Sequence, residues 1–120
     1  MTAIEAYHFN TCFFVYGISH FFTGIRIGGD FAIVTNPDEL FCEIGLSIKK
    51  QSPFKHTMVA EQTNGAYGYV PTAKAFAGGS YETWFGEHSC LSTKAGDLIE
   101  KESLEILKTL QSEKWSSIVH

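Results

Sequence analysis

Three residues carry the chemistry this chain could do: Glu39, Tyr67 and Tyr69. Glu39 stands in Asn36-Pro37-Asp38-Glu39, where a strand-like run gives way to a helix-like one. Carboxylates at such chain reversals gather at a sheet's edge, a common place for ligands. The two tyrosines lie in "TNGAYGYVPT", residues 63 to 72, flanked by glycines and followed by a proline. A tyrosine in a glycine-flanked loop can aim its phenol at a substrate or a metal. Its ordinary pKa of about 10 means that ligation as phenolate needs a nearby cation.

Each of these residues also has a purely structural reading. Asn36 followed three residues later by Glu39 matches a capping box, in which the glutamate accepts from the Asn36 backbone amide. On the residues alone the cap takes precedence for Glu39. Aromatic residues suit strands and usually pack, so packing takes precedence for Tyr67 and Tyr69.

Other chemistries find less support. The histidines at 8, 20, 56, 88 and 120 are too dispersed for a H-x-x-x-H or H-E-x-x-H pattern. Cys12, Cys42 and Cys90 are odd in number and far apart, which indicates reduced, mostly buried thiols rather than a disulfide framework or a zinc knuckle. Gly28-Gly29 and Gly78-Gly79 fit no dinucleotide or phosphate loop and are expected to be turns.

The elements that must position Glu39 and the tyrosines follow from patterning. Phe22, Ile25 and Ile27, then Gly28-Gly29-Asp30, then 31–34 read as a hairpin with a glycine turn. Residues 37–51 read as a helix, with Asn36 as its N-cap, Pro37 at its first position, acids in its first turn and Lys49-Lys50 at its end. Apolar residues lie both on and off its Phe41/Ile44/Ile48 stripe, which predicts a largely buried helix packed on a sheet. Residues 56–60 read as a third strand and 73–77 as a short helix ended by Gly78-Gly79. Residues 93–110 read as an amphipathic surface helix with Ala95, Ile99, Ile106 and Leu110 on one side. The expectation is a mixed α/β fold of order β-β-α-β-α-α: a small sheet, a buried helix and an amphipathic C-terminal helix.

At 120 residues the chain reads as a single domain, 1–120, with no repeat or linker-like run. Its formal charge of −4 and scattered basic residues argue against a nucleic-acid partner. The apolar N-terminal run lacks a positive leading segment and is broken by Gly17, Ser19 and His20. Neither a signal peptide nor a membrane span is expected, which favours the cytoplasm.

Taken together, "GIRIGGDFAIVTNPDELFCEIGLSIKKQSPFKHTMVAEQTNGAYGYVPTAKAF", "GGSYETWF" and "AGDLIEKESLEIL" resemble the C-terminal part of the catalytic domain in neutral/alkaline non-lysosomal ceramidase-like proteins. The resemblance covers residues 24–110; the aromatic-rich segment 1–23 is unmatched. It implies a zinc-dependent amidase that hydrolyses the amide of ceramide. It implies Glu39 and Tyr69 as metal ligands, Tyr69 also as a catalytic group, and Asn64 as a supporting residue. The family has a glycine before its glutamate where this chain has Asp38. The two histidine ligands that complete the family's zinc site belong to an earlier segment that this sequence does not contain. The resemblance therefore implies half of a site, inactive alone and completed by a companion chain. The alternative is a non-catalytic α/β module for assembly or binding. The phenylalanines at 9, 13, 14, 21 and 22 suggest a homo-oligomer.

Overall fold

The computed structural model describes residues 4–15, 18–86 and 91–112, with side chains described from His20 onward. His88, Cys90 and His120 lie outside the described residues, as do the side chains of His8, Phe9, Cys12, Phe13 and Phe14. The elements are β1 (Ile4–Val15), β2 (Ile18–Ile27), β3 (Phe31–Thr35), β4 (Glu39–Leu40), α1 (Cys42–Gln51), β5 (His56–Ala60), β6 (Tyr69–Val70), α2 (Ala73–Gly78), a 3-10 turn (Tyr81–Thr83) and α3 (Ala95–Ser112). The fold is mixed α/β, as the patterning predicts.

Four strands form one sheet in the order β1-β2-β3-β5, and β4 and β6 form a separate parallel pair. The β1–β2 and β2–β3 pairs are antiparallel, whereas β5 returns parallel to β3 after the α1 crossover. The expected hairpin is present, with Ile27 paired to Phe31 and Gly28 at φ 65° in its turn. Glycine takes that left-handed conformation without a Cβ penalty.

Alternate residues of the central strands face the helices. His20, Phe22 and Gly24 of β2 and Ala32 and Val34 of β3 are buried, and so are Ile44 and Ile48 of α1. α3 closes over them with Ile99, Ser103, Ile106, Leu107 and Leu110, the spacing of one helical face. Each fully buried side chain such as Phe22 or Leu107 contributes roughly 1.5–3 kcal/mol. Contact is closest at Gly24: a Cβ built there would stand 2.4 Å from Ile106 Cγ2 and 2.8 Å from Leu110 Cδ1. Arg26 ties the same strand to the end of α3 by donating to the Leu110 carbonyl at 3.1 Å.

Three expectations are corrected. β1 adds a strand where the aromatic run 1–23 has no clear alternation. The helix expected from residue 37 begins at Cys42, preceded by Phe41 with no side-chain cap. Asn36 caps nothing: its Oδ1 accepts from the Asp38 amide at 3.0 Å, a local turn, and its carbonyl accepts from the Thr63 amide. Amides that a helix start would leave free are taken by a neighbouring segment, since Glu39 N–H donates to the Gly68 carbonyl and Phe41 N–H to that of Val70. These partners hold the chain extended until Phe41. Nor is α1 largely buried, because Cys42 is exposed and Leu46 is 61% exposed. Among the described residues no helix is long and apolar enough to cross a membrane.

Candidate functional site

Glu39 and Tyr69, thirty positions apart, are direct partners in the parallel β4–β6 ladder. Partners in such a ladder project to the same side. The pairing depends on the extended turn just described, because the Asn36-to-Phe41 segment lies along 60–70 rather than coiling. The capping box is thus replaced by a different role for Glu39: its carboxylate accepts from the side-chain amide of Gln62. Gln62 has φ 50°, a left-handed conformation that a residue with a Cβ adopts at some cost and that surrounding contacts must hold.

The Tyr69 hydroxyl meets that of Tyr81 at 3.3 Å, and their rings meet edge to face with centroids 5.6 Å apart. This geometry is favourable for two aromatic quadrupoles. The hydrogen bond to Tyr81, then desolvation, then the neighbouring Glu39 carboxylate push the Tyr69 phenol well above the ordinary tyrosine range. In this chain Tyr69 therefore carries its proton at neutral pH, which leaves it able to donate a hydrogen bond. Asn64, the third residue of the expected site, is exposed with φ 63°. It shapes the turn, a position that asparagine tolerates well.

Behind the pair lies a buried polar cluster. His20 Nδ1 and Asp38 Oδ2 are 3.1 Å apart, with His20 2% and Asp38 0% exposed. Among the described residues Asp38 Oδ1 has no hydrogen-bond partner. The His20 ring also packs against Tyr67, centroids 4.8 Å apart and planes tilted by 33°. Packing was the expectation for Tyr67, and the structure supplies its partner.

No family model, curated protein or solved structure matches this chain. The site therefore has to be argued on its own geometry.

A catalytic zinc takes three protein ligands and keeps one open position. Glu39 and Tyr69 offer two oxygen donors, and no group of three His, Cys, Asp or Glu able to hold a metal forms among the described residues. His20 is committed to Asp38, and His56 stands exposed at the start of β5. The described residues do not by themselves fit a catalytic zinc. What they do assemble is a carboxylate beside a protonated phenol, with Gln62 bonded to the first and Tyr81 to the second.

Sequence reasoning singled out Glu39 and Tyr69, which the fold pairs, and gave no role to their neighbours His20, Asp38, Gln62 and Tyr81. A lone histidine carries no signal of its own. The position of Asp38 beside Glu39 is the one available hint.

Proposed function

We propose that this chain presents half of an amide-hydrolysing site, of the zinc-dependent ceramidase-like kind, and that a companion chain supplies the histidine ligands. The observation that supports this most is the direct pairing of Glu39 with Tyr69 on adjacent strands. Two residues singled out by a motif resemblance stand side by side although thirty residues separate them. The chain's own contribution is an anionic oxygen from Glu39 and a donor from Tyr69. A fixed phenol of that kind stabilises negative charge developing on a carbonyl oxygen. The alone-standing chain is expected to be inactive toward N-acyl amides of the ceramide type.

Zinc titration by calorimetry tests the reading, on wild type and on Glu39→Ala and Tyr69→Phe. Wild type should bind zinc measurably more tightly than Glu39→Ala, and Tyr69→Phe should lose less than Glu39→Ala, because a protonated phenol is the weaker ligand. Equal binding by all three would refute the half-site.

A second reading, a non-catalytic assembly module, draws on a different observation. Trp84 and Phe85 are 69% and 74% exposed, and β5 is an edge strand carrying the half-exposed Met58. Unpaired edges and exposed aromatics favour association. It predicts a homo-oligomer by light scattering at micromolar concentration, and a monomer would count against it.

A further inference from the structure

We propose that His20 is a positioning residue that sets the distance between Glu39 and Tyr69 by gripping the segments that carry both. This rests on reading Glu39 and Tyr69 as the site. The placement is specific. On one side His20 Nδ1 meets Asp38 Oδ2 at 3.1 Å, one residue before Glu39. On the other side its ring lies against Tyr67, two residues before Tyr69. His20 itself belongs to β2, in the interior of the main sheet, and is 2% exposed. The small β4–β6 ladder is only two residues per strand. So short a ladder is marginal by itself, and its geometry depends on what lies beneath it.

Each grip continues to the site through further contacts. The Asp38 carbonyl accepts from the Gln62 amide at 3.2 Å, and the Gln62 side chain in turn holds the Glu39 carboxylate. Seating Asp38 therefore seats Gln62, in its left-handed conformation, over Glu39. Gly65 also lies close to Tyr67: a Cβ there would come within 2.7 Å of the Tyr67 ring. The ring thus touches both the His20 imidazole and Gly65, and the following Gly68 carbonyl accepts from the Glu39 amide at 3.0 Å. Burial of Asp38 with one oxygen already unpartnered makes its bond to His20 all the more important, because an unpaired buried carboxylate is costly.

The two grips can be released separately. His20→Asn keeps a side-chain donor near the Nδ1 position but removes the ring that packs on Tyr67. His20→Phe keeps a ring but removes the donor to Asp38. Gly65→Ala presses on Tyr67, and strains the backbone at φ 155°, without changing the His20 side chain. NMR on the metal-free chain reads both sides: the ring-to-ring NOEs of Tyr69 with Tyr81, and hydrogen exchange at the Gln62 backbone amide.

His20→Asn and Gly65→Ala should weaken or abolish the Tyr69–Tyr81 NOEs while leaving Gln62 exchange within about twofold of wild type. His20→Phe should raise Gln62 exchange about tenfold or more and keep the NOEs, equivalent to about 1.4 kcal/mol of lost protection. Ile48→Val, a core change away from the cluster, should move neither readout. Identical patterns in His20→Asn and His20→Phe, or no change in either, would overturn the proposal. If His20→Phe does not fold, the other two variants decide: unchanged NOEs in both would overturn it. Because these readouts need no metal, their failure is separate from failure of the zinc titration.

Discussion

Replacing Gly24 with alanine puts a methyl group where β2 and α3 already touch. The new carbon would lie 2.4 Å from Ile106 Cγ2 and 2.8 Å from Leu110 Cδ1, whereas ordinary contact begins near 3.4 Å. Both neighbours are buried, at 2% and 1% exposure, so neither can swing into solvent. α3 must instead retreat by about 1 Å, and overpacking of this kind costs about 1–3 kcal/mol in a close-packed interior. Against this, alanine restricts the unfolded chain and returns about 0.4–1 kcal/mol where the backbone is compatible. The expected net loss is about 1–2 kcal/mol, seen as a Tm lower by roughly 4–12 °C for a domain of this size. Urea unfolding followed by far-UV circular dichroism reads it directly, with the midpoint falling and the m-value unchanged. Gly24→Ala combined with Ile106→Ala tests the cause, since the added methyl would occupy part of the space vacated. The double variant should be more stable than the two single losses predict. A Gly24→Ala midpoint equal to or above wild type, or additive losses in the double variant, would refute the close-approach reasoning.

Two further predictions concern ionisation. Tyr81→Phe should lower the titration midpoint of Tyr69, because it removes the hydrogen bond that most favours the neutral phenol; Glu39→Gln should lower it by less. Carbon-13 labelling of the tyrosine ring carbon bearing the hydroxyl resolves Tyr69, and a larger fall in Glu39→Gln would contradict the stated order of causes. The Cys42 thiol is raised above its usual range, chiefly by the adjacent Glu43 charge and then by its hydrogen bond. Glu43→Gln should therefore speed iodoacetamide alkylation of Cys42 at pH 8, quantified by peptide mass mapping, because the thiolate is the reacting form. An unchanged rate would dismiss the Glu43 effect.

The hairpin around Gly28, the strand at 56–60 and the C-terminal helix were legible because their signals are local: alternation, a glycine turn, a 3.6-residue stripe. The sequence by itself also marked Glu39 and Tyr69, through residue type and motif. It misassigned residues 37–41 because Asn-Pro-Asp-Glu satisfies every local rule for a helix start. Those rules assume that the first amides have no better partner. Here the Gly68 and Val70 carbonyls supply one, and they come from a segment some thirty residues away. The same non-local pairing decided that Glu39 and Tyr69 meet at all, and that His20 lies beneath both segments. No spacing in the chain encodes those meetings. They follow from which strand edge each segment meets around the core of Phe22, Val34 and Leu107, since hydrogen bonding and burial act through space and composition acts only along the chain.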